Sequence, residues 1–397
     1  MVFGNRQRMK IEVYSPTIRR KEMDAVLTAM VEDKIGPGGE AKFLIQTARE
    51  KIKFDYCLAL RSPALALYLA LKSLNLEAGQ GVLVSALSPL YYAHVIDDLK
   101  LVPLYCDVLS STAFIGRETA EKALASKPEG LDVRCIILHN TLGYVPDSAA
   151  IAELGIPLIE DCSQSYGTAA GADFTGDEGS AAPQSRELPS GNAVFTILGL
   201  EERDMLTSGG GALLYSMNRR TSRSRDAAAL RNPEISRIGD LPPEYGLPDM
   251  NAALAVVQFR EAAKNLLKRR EIARLYTQSA LRTRHKRFIQ HDVQNPKTQE
   301  NLSTGDDSAG KLTVEYNNFA FPLILETGMK DVKAYARRRE IAVESAFENT
   351  LVGSGIVPPE KCPEAYSLSL RTVLFPIYPR LSMTDAGKVS KLIQTLP

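Results

Sequence analysis

The chain has 397 residues, 44% hydrophobic and 24% charged, enough for two domains or for one large domain with an appendage. Lysine and arginine total 48 against 47 acidic side chains, a formal net charge of +1, so no overall field recruits nucleic acid or an anionic membrane. No apolar run approaches the ~18 residues of a membrane span, the N-terminal stretch lacks the apolar core of a signal peptide, and the five cysteines form no CxxC pair, so a soluble cytoplasmic protein without a membrane partner is expected.

In chain order, Ser15-Pro16-Thr17 starts a helix over Ile18–Val31, Ile35-Gly36-Pro37-Gly38-Gly39 makes a turn, and Ala41–Phe54 is a second amphipathic helix. An alternation follows. Strands are expected at Cys57–Leu60, Val82–Val84, Leu101–Tyr105, Arg134–Leu138, Pro157–Ile159, Ala193–Leu198 and Ala212–Tyr215. Helices near Ala64–Leu74, Leu90–Leu99, Glu118–Ala125 and Ser148–Leu154 separate the first five strands. Short apolar strands spaced by helices predict an α/β fold with a mostly parallel sheet covered on both faces. Beyond it, Met250–Ala263 and Leu267–Leu281 read as two helices, residues 282–311 as a polar flexible insertion, and Tyr316–Leu325 as a strand. Lys330–Glu340 is a helix, Val373–Phe375 a strand and Thr384–Leu392 a last helix, which together make a smaller α+β unit.

The stretch from Pro157 to Ser216 concentrates the chemistry. Its first strand runs straight into Glu160-Asp161, and its last is preceded by Gly209-Gly210-Gly211. Polar groups delivered at strand ends are how an α/β sheet builds a ligand site. Yet no lysine occurs between Lys127 and Lys264. His94 and His139 have no third ligand at a fixed spacing, so no metal site is expected. Arginines crowd Asn218–Arg237, but in a neutral chain this reads as a solvated segment, and a nucleic-acid partner is not expected.

Several segments in the same order resemble the DegT–StrS family of nucleotide-sugar aminotransferases that use pyridoxal phosphate (PLP). These are Ile35–Gly38, Leu60–Leu67, Ile159-Glu160-Asp161-Cys162-Ser163-Gln164 for the family's EDaAQ motif, Phe195-Thr196 with Gly209–Gly211, Tyr245–Ala253, and Leu374–Pro379. The resemblance implies PLP-transferase fold type I: a large seven-stranded sheet domain over residues 1–263, including an N-terminal arm, and a small C-terminal domain over 264–397. It also implies a cytoplasmic dimer.

The family's Schiff-base lysine falls on Glu201, Glu202 or Arg203. A carboxylate has no nucleophilic nitrogen, and a guanidinium stays protonated at neutral pH. The phosphate cradle reads Ser62-Pro63-Ala64, which loses an N–H and a hydroxyl. The ring-stacking aromatic becomes Pro89, with Tyr91 and Tyr92 close by, and the motif's Asn and Arg become Glu244 and Gly246. Retained are Asp161, which the resemblance places against the pyridinium nitrogen, Gln164 near the ring oxygen, and Thr196 and Ser62 as weak phosphate ligands. The joint loss predicts a pseudoenzyme with no catalytic residue and no cofactor. Such a protein would pair as a homodimer, or as a heterodimer with an active paralogue, and bind a nucleotide sugar or act as a scaffold or regulator. The alternative is a working aminotransferase or dehydratase that holds PLP or its amine form, PMP, non-covalently, with Glu201, Glu202 or a histidine as base. Residues 176–191 and the arginine-rich segment are expected to fill part of the pocket above Asp161.

Overall fold

Apolar strands that alternate with amphipathic helices need cover on both faces, and a layered sheet is the arrangement that supplies it. A computed structural model of the chain describes residues 11–171, 186–187, 192–216, 241–289, 313–326 and 328–397. Helices α1 (Arg20–Val31) and α2 (Gly39–Lys51) come first. They are followed by β1 (Tyr56–Leu60), α3 (Pro63–Ser73), β2 (Gly81–Ser85), α4 (Tyr91–Asp98), β3 (Val102–Cys106), α5 (Arg117–Ala125), β4 (Val133–His139), α6 (Ser148–Ala152) and β5 (Leu158–Asp161). Short strands β6 (Ala169–Gly171) and β7 (Arg186–Glu187) precede β8 (Phe195–Gly199) and β9 (Ala212–Ser216). The rest comprises α7 (Asp249–Ala280), β10 (Thr313–Glu315), β11 (Phe321–Ile324), α8 (Met329–Arg337), β12 (Glu344–Ser345), α9 (Pro363–Arg371), β13 (Thr372–Phe375) and α10 (Met383–Gln394).

The seven-stranded sheet runs β1-β9-β8-β5-β4-β2-β3, and only β9 opposes its neighbours. The mostly parallel sheet expected from the sequence is present. Side chains alternate between its two faces. Val82, Val84, Ile137, Ile159, Phe195 and Ile197 pack toward α3 and α4, while Leu83, Ile136, Leu158 and Leu198 pack on the other side. A second, antiparallel sheet, β11-β13-β12, shares its core with α8, α10 and the end of α7. The third sheet, β10-β6-β7, joins short strands from distant parts of the chain.

Three expectations change. The two helices predicted over Met250–Leu281 are one 32-residue helix, which passes straight through the proposed boundary at 263/264. Polar Lys264 and Asn265 carry no helix-breaking signal, and both cores supply partners along its length. Of the strand expected over Tyr316–Leu325, only Phe321–Ile324 is strand: Tyr316–Ala320 is a connection in which Asn318 adopts a left-handed φ of 54°, and β10 ends before it at Glu315 in a different sheet. Helix α9 was not expected at all, because Pro363 at its first turn reads as a turn signal although proline is tolerated there. Residues 290–311 of the proposed insertion, and the whole arginine-rich segment, lie outside the described residues.

Two polar devices lock the layers. Asp107, just after β3, accepts the N–H groups of Glu364 (3.0 Å) and Ala365 (2.8 Å), and so caps the first turn of α9 from across the molecule. Glu160 is fully buried on the face opposite Asp161. Its Oε1 accepts from Asn140 at 3.0 Å, while its Oε2 has no hydrogen-bond partner among the described residues. Burial pushes this carboxyl up from 4.5 to about 7.

Asp107→Ala is expected to lower unfolding free energy by about 1–2 kcal/mol, measured by urea titration, with Asp107→Asn losing less. Glu160 titrates higher in the folded chain than in the unfolded one, so its contribution is complete below about pH 4.5 and is lost as pH rises through about 7. The urea midpoint should therefore fall across that window, and Glu160→Gln should flatten part of the slope.

Candidate active site

The carboxyl ends of β4, β5 and β8 open into a cavity of about 670 Å³. His139, Asp161 and the loop Glu201–Asp204 line it from the large sheet, and Val13 and Tyr14 from the N-terminal arm. The opposite wall is the segment Glu344–Thr350 with Leu374, Phe375 and Ile377. Leu351 and Val352 donate N–H groups to Ser88 and Ala86 (3.1 and 3.0 Å), and Phe347 inserts into the core beneath α4, 1% exposed. Gly353 closes the turn at a place where a Cβ would strike the Phe347 carbonyl. Of the segments expected to fill the pocket, the arginine-rich stretch and all of 176–191 except Arg186–Glu187 lie outside the described residues.

Asp161 stands at the end of β5 on the face toward α4, 1% exposed. Its Oδ2 accepts from the Tyr91 hydroxyl (3.0 Å) and the Tyr92 hydroxyl (2.7 Å). Its Oδ1 accepts from the Ser163 N–H (3.0 Å) and the Ser163 hydroxyl. A carboxylate offers about four lone-pair positions, so the chain itself supplies donors for all of them. Burial, and then the Asp161 charge, push both tyrosine hydroxyls well above their ordinary range, so they remain neutral donors. His139 donates or accepts at Nδ1 with Thr141 (3.0 Å), and burial lowers its pKa, so the ring is neutral.

The loop that carries the family's lysine position is occupied differently. Arg203 pairs with Glu344 at 2.7 Å and lies over the Tyr14 ring, and Tyr14 also donates to the Glu202 carbonyl. The Glu201 side chain is exposed, and its N–H is held by Asp204 at 2.8 Å. Asp204, one residue past the window the sequence singles out, is the acid that turns toward Asp161. A Cβ on Gly199 would strike its Oδ2 and would lie 2.7 Å from the Ser163 hydroxyl, so only glycine leaves room for the carboxyl there. Burial, with Asp161 and Glu201 nearby, raises Asp204 from 3.8 to about 8. Arg269, 5% exposed, lines the far wall. It donates to the carbonyls of Asn318, Phe319 and Ile377, and burial lowers it to about 10.

The remaining sequence candidates separate. Gln164 reaches the cavity, but its Oε1 accepts the Leu142 N–H (2.7 Å) and supports that residue's left-handed φ of 57°. Ser62 caps α3 by accepting the Leu65 N–H at 3.2 Å, and Pro63 rather than Ser62 lines the cavity. Thr196 is not part of the site. It pairs in register with Glu160 on the face opposite Asp161 and hydrogen-bonds Tyr215. Strand alternation alone puts it there.

The described residues that line the cavity offer PLP no amine with which to condense. No lysine lines the cavity among the described residues, the acid expected to meet a pyridinium is saturated internally, and Pro63 replaces an N–H donor of the phosphate cradle. Among the described residues no group of three His, Cys, Asp or Glu could hold a metal ion, and no helix is long and apolar enough to cross a membrane.

Comparison with known proteins agrees with the topology. Residues 16–189 match the profile of the DegT/DnrJ/EryC1/StrS aminotransferase family. The chain is 27% identical over 202 residues to the L-glutamine:2-deoxy-scyllo-inosose aminotransferase of Streptomyces fradiae, a match over 49% of this chain and 42% of that protein. The chain thus spans less than half the length of that relative. Among solved structures, Spr1654 from Streptococcus pneumoniae, known in apo-, PMP- and PLP-forms, superposes with a TM-score of 0.75 at 17% identity over 96% of both chains. A DegT DnrJ EryC1 StrS aminotransferase from Brucella abortus gives 0.71 at 19% identity over 94% of both chains. Residues 16–189 are thus similar in sequence to the DegT/DnrJ/EryC1/StrS aminotransferase family, and the chain as a whole has the fold of these aminotransferase structures.

Proposed function

We propose that this chain is a sugar-aminotransferase relative that has given up transamination and keeps the cavity as a binding site for a sugar-like ligand. One observation carries the reading: all four hydrogen bonds to the Asp161 carboxylate come from Tyr91, Tyr92 and Ser163. A pyridinium nitrogen would have to displace at least one of these buried donors and leave it unpaired, at a cost of about 1–3 kcal/mol. The lysine window supports the same reading, because Glu201 and Glu202 carry carboxylates and Arg203 is spent on an ion pair with Glu344. A relative whose name joins L-glutamine to 2-deoxy-scyllo-inosose supports a polyhydroxylated ring as the ligand class. In this reading the chain is a cytoplasmic homodimer, or the partner of an active paralogue, with residues 1–263 and 264–397 as its domains.

A second reading has one observation in its favour: Asp161, Gln164 and His139 still line an open cavity of about 670 Å³. Under it PLP or PMP binds non-covalently, and the chain is a working aminotransferase or dehydratase.

Purified protein incubated with PLP and then freed of unbound cofactor by gel filtration is expected to show no internal-aldimine absorbance and no spectral change with borohydride. A borohydride-sensitive band would overturn the first reading. Calorimetry with PLP and with PMP separates the two readings: the first expects no heat at millimolar cofactor, the second a saturable heat that Asp161→Ala abolishes.

A further inference from the structure

Helix α1 packs on α7 with the wrong face for a helix that stands alone. Its buried residues are Glu22 and Ala29, and Glu22, 1% exposed, accepts from Gln258 (3.3 Å) and from the Arg19 N–H (3.0 Å). The large apolar side chains point away from α7. Met23, Leu27, Met30 and Val31 repeat at i, i+4, i+7 and i+8, which makes one stripe on the helix surface, and they are 50–81% exposed. Ile35, just past the helix end, is 63% exposed as well. An apolar stripe of this spacing is what a helix ordinarily turns toward a core.

The charges of α1 say what covers the stripe. Arg19, Arg20 and Lys21 open the helix, Glu32 and Asp33 follow it, and its last turn holds no basic residue. The helix macrodipole favours the reverse order, and the acid of the first turn, Glu22, is turned inward. Lys21 and Glu32 pair within the chain, with Glu261 and Lys34. Arg20 stands 3.7 Å from Asp24 with both side chains exposed, a pair that contributes little. Basic at one end, acidic at the other and apolar between, this face is complementary to a copy of itself that runs the opposite way. Its five exposed apolar side chains present on the order of 500 Å², the size of patch that is often functional on a monomer. Two copies contribute twice that, and with the polar third of a homodimer interface the total approaches the roughly 1,600 Å² of a standard one.

We infer that a second copy of this chain docks on α1, the two helices lying antiparallel across a two-fold axis at Leu27. Leu27 then meets Leu27 of the partner subunit, and Met23 meets Met30 and Val31 of the partner subunit. Arg20 comes to lie beside Asp33 of the partner subunit, once at each end of the pair. The same patch serves both molecules, so the contact closes as a dimer and does not propagate. Of the reading above this uses only the homodimer, for which it names the surface, and it is independent of what the cavity holds.

The test is sedimentation equilibrium of the full chain at micromolar concentrations. A dimer is expected, and Leu27→Asp, which sets two carboxylates together on the axis, is expected to weaken it at least about tenfold. Arg20→Glu is expected to weaken it less, and Arg20→Glu with Asp33→Arg to restore it. Leu27→Cys treated with oxidised glutathione is expected to link two chains, whereas Leu370→Cys, half exposed on α9, is not; the native cysteines are buried or half-buried. Leu27 is 56% exposed, so these variants keep the fold, which circular dichroism checks. A dimer that Leu27→Asp leaves unchanged, or that Leu27→Cys does not cross-link, overturns the inference and leaves the homodimer standing on another face. A chain that is monomeric at tens of micromolar overturns both. A borohydride-sensitive PLP band bears on the cavity alone.

Discussion

A buried carboxylate must find donors, and Asp161 finds all of them within its own chain. Tyr91 and Tyr92 reach it from the first turn of α4, and Ser163 folds back from the residue pair that follows β5. That arrangement depends on the strand parity that turns Asp161 toward α4 and Glu160 away from it. It then sets the rest of the site. Ser163 also accepts the Gly199 N–H (2.8 Å) and so ties β5 to the end of β8, and Asp204 lies over Gly199 in turn. The start of α4 and the ends of β5 and β8 are thereby fastened to one another.

Low dielectric surroundings make such a network costly to disturb, because any member left unpaired keeps its full desolvation penalty. The cavity wall from Glu344 to Thr350 adds to this. Phe347 is anchored in the large core, and the backbone of Leu351 and Val352 continues the edge at Ala86–Ser88. The Arg203–Glu344 pair is exposed and contributes little by itself, but it sits on a wall that is already fixed by apolar burial.

Much of this fold is legible in the residue order. Three to six apolar residues between turn signals, repeated with helical spacers, leave few alternatives to a covered parallel sheet, and Asp161 at the end of one strand and glycines before another mark the active edge. The failures have physical causes. Thr196 looks like a ligand in one dimension, yet pairing in register with Glu160 turns it to the opposite face, and register is not encoded in a motif. Asp204 lies one residue beyond the window set by counting between motifs, so its approach to Asp161 depends on how the loop folds over Gly199. The donors Tyr91 and Tyr92 stand about seventy positions before the acid they serve, a separation that no local pattern spans. Glu344–Thr350 comes from farther still, from a part of the chain with no period to announce it.

Helix α7 has a bearing on how the molecule gives way. Its first half buries Ala252, Val256 and Phe259 in the core behind the large sheet, and its second half buries Ile272, Ala273 and Tyr276 in the core of the small one. There is no proline or glycine along its 32 residues at which to bend. Loosening either core therefore frays a rod on which the other is built, and neither sheet has a private route to disorder. The two cores share one fate, and the cavity walls that they carry are lost or kept together.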